Sequence, residues 1–369
     1  MARTELSLAE RVGQLFMVGF EGAALTPGLA AWLREFAWGG LMLFPRNIES
    51  PTQLQALIHG LQEVARSRGD LPLLIAVDQE GGRVARLKSP FTAFPSAARL
   101  ARAGSEQRVH EVGRAIALEL RAVGITMNMA PVLDVLTNPA NPVIGDRAYG
   151  SDPVTVARLG AAFIRGTHAA GVLATGKHFP GHGDTALDSH VARPVSDRSL
   201  AQMDACELLP FRAAIHAGLG ALMTAHVRYP AWDPAYPATL SRAILTGVLR
   251  GQLGFAGAIV TDDLGMQGVA DAFPWEEVPP RALQAGADLL LVCHHRQRQE
   301  QAYTEVLRAV HEGELCETRV EEACARVRAL QARLIGQGQA PVPASLACIG
   351  SAEHGRLAAA LAGENRYGS

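Results

Sequence analysis

The sequence predicts an α/β protein folded as a single (β/α)8 barrel of the TIM type. Eight short apolar runs recur along the chain, segments with helical periodicity separate them, and the repeat count and the total of 369 residues both fit such a barrel. Alternation of this kind builds a parallel sheet, and eight repeats close it into a barrel rather than leaving it open. Most of the runs are near-continuously apolar, as expected of parallel strands covered on both faces.

The first run, QLFMVGF (14–20), follows a short polar N-terminal stretch, and GLMLF (40–44) follows it. The segment SPTQLQALIHGLQEVARSRG then reads as a helix opened by Ser and closed by Gly. LLIAVD (73–78) is the third strand, and SEQRVHEVGRAIALELRAVG is the helix that leads to ITMNMA (125–130). DPVTVARLGAAFIRGTHAAG, opened by Asp, leads to VLATGKH (172–178), and SLAQMDACELLPFRAAIHAG leads to ALMTAHV (221–227). LSRAILTGVLRGQLG precedes AIVTDD (258–263), and DLLLVC (288–293) completes the eight. QAYTEVLRAVHEGEL and RVEEACARVRALQARLIG close the outer ring, giving a catalytic barrel over 1–335. Residues 336–369 read as a loosely attached C-terminal tail without a domain of its own.

The composition is that of an ordinary globular protein, 48% hydrophobic and 19% charged, with a formal net charge of −2. No run of like charges offers the basic footprint of a nucleic-acid binder. The N-terminus lacks the apolar core and cleavage site of a secretory signal, and no apolar run approaches the roughly 18 residues that span a bilayer. These features predict a soluble, cytoplasmic protein with no membrane partner. The five cysteines are scattered, with no CxxC pair, so neither a disulfide framework nor a zinc knuckle is indicated. Nothing in the sequence speaks to oligomeric state.

Catalytic residues of such a barrel lie at the C-terminal ends of its strands and in the loops just after them. That rule selects Asp78, Glu80, Asp134, Lys177, His178, His226, Asp262 and Asp263. Structural roles compete for several. Asp134 and Asp263 suit backbone capping, Arg83 and Arg86 could form a surface pair, Arg147 could anchor a loop, and His226 could be a contact residue. For Asp262 the structural role is weaker, because a carboxylate ending a strand as apolar as AIV must be partly desolvated.

KHFPGHGDTALDSH (177–190) concentrates three histidines and two aspartates. His178 and His182 have the i, i+4 spacing of a zinc helix, but Pro180, Gly181 and Gly183 oppose a helix there, and Lys177 would set an ammonium beside the cation. No complete GxxxxGK[ST] or GxGxxG motif supports a nucleotide site. No metal or other cofactor is expected. Proton transfer remains: Asp188 and His190 stand two apart, so in an extended segment the carboxylate can orient the imidazole. No GxSxG nucleophile accompanies them, and Asp262 is the best available carboxylate for that role. Gly181 and Gly183 suggest that the loop swings; His182 between them is assigned a loop-shaping part.

KHFPGHGDTALDSH, VDQEGGRVARL, GDRAYG and VTDDLGM, in order through roughly residues 8–335, together resemble family 3 glycoside hydrolases of the bacterial cytoplasmic β-N-acetylhexosaminidase type, which act in peptidoglycan recycling. The resemblance implies a retaining exo-β-N-acetylglucosaminidase with Asp262 as nucleophile and His190, supported by Asp188, as acid/base. It implies sugar-binding roles for Asp78, Arg86, Arg147, Lys177 and His178, and a small amino-sugar saccharide or muropeptide such as GlcNAc-1,6-anhydro-MurNAc as substrate. Larger relatives take their acid/base from a second domain, for which this chain has no room. Four alternatives stay open at this point: attack by the substrate's own acetamido group, phosphorolysis, a Schiff-base lyase or aldolase on Lys177, and a sugar-binding relative without catalysis.

Overall fold

The computed structural model describes residues 6–69, 71–102, 105–187, 193–335 and 345–363. All eight apolar runs form strands: β1 Phe16–Val18, β2 Gly40–Met42, β3 Leu74–Val77, β4 Met127–Asn128, β5 Leu173–Phe179, β6 Ala221–Thr224, β7 Ala258–Asp263 and β8 Leu289–Val292. Each pairs in parallel with its neighbours in sequence, and β8 pairs with β1 through Phe16 and Leu290, so the sheet closes. This is the predicted (β/α)8 barrel. Among the described residues, no helix is long and apolar enough to cross a membrane.

Alternate residues of each strand face opposite ways, and both directions are buried. Met17, Met42, Leu74, Ala76, Met127, Ala221, Val260 and Leu289 fill the barrel interior. Phe16, Val18, Leu41, Ile75, Val77, Leu222, Ile259 and Leu290 pack outward against the helices. The continuous apolar runs of the sequence are the consequence. The helix Glu317–Arg333 adds Val327 and Leu330 to the interior cluster and so stoppers the N-terminal end. There Asp288, fully buried, pairs with Arg319 at 2.5 Å and Arg326 at 3.1 Å and with Arg250, and accepts the Ile259 N–H at 2.9 Å.

Helix starts follow their sequence signals. Ser50, Ser105, Asp152 and Ser199 each accept a backbone N–H from the first turn of the helix they open. Two segments depart from a simple α-helix. Residues 199–218 form two helices, Leu200–Ala205 and Leu208–His216, because Pro210 has no N–H to give and its ring would strike the carbonyl of Cys206. Ala243–Gln252 is wound as a π-helix.

The tail also differs from its expectation wherever it is described. Leu346–Cys348 forms a 3-10 turn, and Ala352–Gly363 forms a helix whose Ala358 and Leu361 are buried in the main outer core. Its small apolar residues, which gave the sequence no strong periodicity, suit close packing against a helix that is already in place.

Candidate active site

A cavity of about 590 Å³ opens at the C-terminal end of the barrel, within the range that holds small ligands. Asp78, Arg86, Arg147, Lys177, His178 and Asp262 all line it, from loops as far apart as residues 78 and 262. Glu80, Arg83, His182, Asp263, Phe44 and His294 complete much of the wall, over a floor that includes Met42, Met223 and Leu291.

The charged half comes from the ends of β3, β4 and β5. Lys177 Nζ lies 2.7 Å from Asp78 Oδ1 and 2.7 Å from Glu80 Oε1. Arg147 grips Glu80 with two bonds, Nε to Oε2 at 2.9 Å and Nη2 to Oε1 at 2.8 Å, the planar fork that a guanidinium offers a carboxylate. Arg86 stands 3.5 Å from the other Asp78 oxygen. Burial alone would raise the Glu80 carboxyl, but the charges and hydrogen bonds of Lys177 and Arg147 outweigh it and hold the pKa down to about 2. Burial would likewise lower Lys177, and Asp78 and Glu80 raise it instead. The result is a lattice of fixed donors and acceptors whose charges are mutually neutralised.

Glu80 and Arg83 reach the wall on a hairpin, Gln79–Gly81 paired with Val84–Ala85. Its turn requires glycine: Gly81 and Gly82 have φ of +99° and +59°. Arg83 pairs with Asp146 at 2.9 Å and donates to the Val143 carbonyl, so it ties two rim loops together rather than pairing with Arg86.

At the end of β5, Asp134 organises the histidines. Its Oδ2 accepts from His178 Nδ1 at 2.7 Å, which orients the ring and leaves Nε2 for a substrate group. Its Oδ1 accepts the backbone N–H of His178 at 3.2 Å and of His182 at 2.7 Å. Burial opposes the ionised Asp134, yet His178 and His182 hold its pKa low. The His182 ring bonds Thr185 Oγ1 at 2.8 Å, and its carbonyl accepts from Asn141 at 2.9 Å. Burial, then the neighbouring His178, lowers its pKa to about 4, so it is neutral at physiological pH.

The glycines expected to let this loop swing are packing positions. A Cβ on Gly183 would lie 1.7 Å from the Val135 carbonyl oxygen, and one on Gly181 would lie 2.8 Å from Glu207 Cγ. Tyr229 Oη also donates to the Gly181 carbonyl at 2.7 Å. The first half of the loop is therefore anchored. Asp188 and His190 lie outside the described residues.

Asp262 ends β7 half-buried in the cavity wall and accepts the Asp263 N–H at 2.9 Å. Asp263 gives its Oδ1 to the backbone, accepting from Gly265 at 2.9 Å and Cys293 at 3.4 Å, the capping role considered for it, and its Oδ2 lies 3.5 Å from His294 in the cavity wall. Burial raises its pKa. His226 donates Nε2–H to the Asp263 carbonyl at 2.9 Å and so braces the strand end as a contact residue. Both adjacent acids line the cavity, and the Gly265 turn is held by Asp263.

The strand-end rule covers Phe44 and His294 as well, since they follow β2 and β8. Their rings lie 4.8 Å apart, with the Arg46 guanidinium 4.5 Å over Phe44. The sequence signal for them was position alone, because neither belongs to a polar motif. Among the described residues, no cluster of three or more His, Cys, Asp or Glu has metal-binding geometry.

Residues 7–330 match the glycosyl hydrolase family 3 N-terminal domain. A β-hexosaminidase of Idiomarina loihiensis is 44% identical over 284 residues, covering 76% of this chain and 84% of that protein. The solved structure of a glycoside hydrolase family 3 β-N-acetylglucosaminidase from Paenibacillus sp. str. FPU-7 superposes with a TM-score of 0.91 at 41% identity, over 97% of this chain and 68% of that one. The β-glucoside phosphorylase BglX superposes at 0.86 with 29% identity, over 97% and 64%. The match over nearly the whole barrel, joined to a rim of paired charges around a strand-end aspartate, makes this chain a member of glycosyl hydrolase family 3.

Proposed function

We propose that the chain is a retaining exo-β-N-acetylglucosaminidase that removes terminal β-linked GlcNAc from small saccharides, including GlcNAc-1,6-anhydro-MurNAc and its peptides, in cytoplasmic cell-wall recycling. The observation that carries the reading is the cavity itself. Asp78, Glu80, Asp262 and Asp263 face Arg83, Arg86, Arg147 and Lys177, four carboxylates against four permanent cations. Such a wall exerts little net pull on an anion and offers fixed donors and acceptors to a neutral polyol. The β-hexosaminidase relatives and the balance of charge agree.

Asp262 attacks the anomeric carbon while the glycosidic C–O bond breaks and the leaving oxygen takes a proton from His190. Water then displaces Asp262 and returns a proton to His190, with Asp188 orienting the ring in both steps. Imidazole, with an unperturbed pKa near 6.5, can give and take that proton at neutral pH. Asp78, Arg86, Arg147, Lys177 and His178 hold the sugar. Release of p-nitrophenol from its β-N-acetylglucosaminide by wild type, Asp262→Ala and His190→Ala tests the assignment. Wild type should be active, the Asp262 variant should lose at least ~10³-fold, and the His190 variant ~10²- to 10⁴-fold, the usual worth of a positioned acid/base. An inactive wild type, or full rates in both variants, would refute it.

The BglX superposition supports a second reading, phosphorolysis of the same bond. Product analysis with and without inorganic phosphate separates the two, and a sugar 1-phosphate would identify the phosphorylase. The neutralised cavity favours hydrolysis.

A further inference from the structure

The C-terminal segment 345–363 lies beyond the family 3 match, and nothing in the proposed chemistry uses it. It nevertheless covers a buried carboxylate directly behind the active-site rim. Glu119, on the helix Glu106–Ala122, is only 3% exposed. Its Oε1 accepts from His354 Nδ1 at 2.7 Å, Gly350 N–H at 3.2 Å and Thr92 Oγ1 at 2.6 Å, and its Oε2 accepts Thr92 N–H at 2.9 Å. One carboxylate thus joins three segments: the barrel helix, the tail, and the loop leading away from the β3 hairpin.

That loop forms the outer wall of the hairpin. Phe94, whose ring is 6.4 Å from His354, accepts the Gly82 N–H through its carbonyl at 2.9 Å. A Cβ on Gly82 would lie 2.6 Å from Ser96 Cβ, and one on Gly81 would lie 2.6 Å from the Pro95 carbonyl oxygen, so turn and loop are in direct contact. Farther along, a Cβ on Gly350 would lie 2.3 Å from the Pro90 carbonyl oxygen. Arg99 holds the far end of the tail helix, donating to the carbonyls of Leu361 and Ala362. The hairpin is closed on its other side by Gln79, whose amide bonds both backbone groups of Leu87, and by Arg86 N–H on the Asp78 carbonyl at 3.2 Å.

We propose that His354, through Glu119 and the 90–96 loop, is a positioning residue for the substrate rim: the docked C-terminal helix holds the hairpin that carries Glu80, Arg83 and Arg86 at the cavity. The inference rests on that rim being the substrate site. Because Arg86 binds sugar and Glu80 holds the sugar-binding Arg147 and Lys177, and none of these transfers protons, loosening the hairpin weakens binding more than turnover.

The full-length chain is compared as wild type, His354→Ala, His354→Gln, and His354→Ala combined with Leu361→Asp, which sets a carboxylate in the helix interface. Hydrogen exchange followed by peptide is the first readout. Release of residues 352–363 should speed exchange of residues 82–96 by tenfold or more while β6 and β7 keep their protection. Kinetics on p-nitrophenyl β-N-acetylglucosaminide form the second: KM should rise at least fivefold in His354→Ala with kcat within twofold, and His354→Gln, which keeps a donor for Glu119, should restore KM to within twofold. If the tail helix is released and residues 82–96 stay protected, or if His354→Ala leaves both exchange and KM unchanged, the proposal is overturned; should the double variant not fold, His354→Ala alone decides. A wild type inactive on this glycoside would refute the glycosidase reading only, since the exchange readout still tests the positioning role.

Discussion

At the scale of single residues, the site depends on carboxylates kept ionised against burial. Glu80 has a pKa of about 2 in the fold against 4.5 outside it. Its folded value is depressed, so its contribution to stability is full above pH 4.5 and is lost as the pH falls through about 2. At 1.36 kcal/mol per unit this amounts to about 3 kcal/mol. Glu80→Gln leaves Lys177 and Arg147 without their shared partner, and urea titration at pH 7 should show a loss of about 3 kcal/mol. His182 acts in a different window. Its depressed pKa, about 4 against 6.5, means that the unfolded chain binds its proton first, so stability falls as the pH drops from 6.5 towards 4. Replacing His182 with Gln should flatten the pH dependence of the urea midpoint across that window; an unchanged slope would show that the histidine titrates normally in the fold. These behaviours were only partly legible in sequence. Strand-end position selected Asp78, Glu80, Lys177 and Asp262, but that Glu80 bridges Lys177 and Arg147 follows from contacts between residues 67 and more apart.

At the scale of elements, close backbone approaches fix how the rim loops leave the strands. The contact of Gly183 with Val135 is backbone to backbone and cannot be relieved by a side-chain rotation. Gly183→Ala should therefore cost about 1–3 kcal/mol, the usual penalty of overpacking, and should lower activity by displacing His178 and His182. A variant as stable and as active as wild type would show that the β4 loop yields freely. At the opposite end of the barrel, Asp288 gathers Arg250, Arg319 and Arg326. Asp288→Ala leaves three half-buried arginines and the Ile259 N–H without their carboxylate, and thermal or urea denaturation should register a loss of about 1–3 kcal/mol. Helix starts were readable because Ser and Asp caps are local chemistry. The break at Cys206 was readable in principle from Pro210, whereas the π-winding of Ala243–Gln252 has no local signal that we can identify.

At the scale of the whole molecule, stability and activity are separated along the barrel axis. Met17 is fully buried in the interior cluster and does not line the cavity. Met17→Ala should cost about 2–5 kcal/mol through lost burial and the void it leaves. Its kcat/KM at 25 °C should stay within threefold of wild type, and a much larger loss would mean that the interior and the rim are coupled. The C-terminal helix crosses this division, since it belongs to the outer shell but packs near Phe94, in the loop that contacts the rim hairpin.

The sequence by itself determined the barrel, because a strand buried on both faces must be apolar throughout and eight such runs can be counted without knowing what they touch. It also determined which end carries the polar residues, and it carried the resemblance to family 3 glycoside hydrolases. Only the tertiary structure decided which charges neutralise one another, that Gly181 and Gly183 of the histidine loop sit in close contacts, and that residues 345–363 dock against Glu119 and the 90–96 loop. Those outcomes depend on distances between segments far apart in the chain, and the small residues that permit such approaches, Gly82, Gly183 and Gly350 among them, leave no pattern until their neighbours are in place.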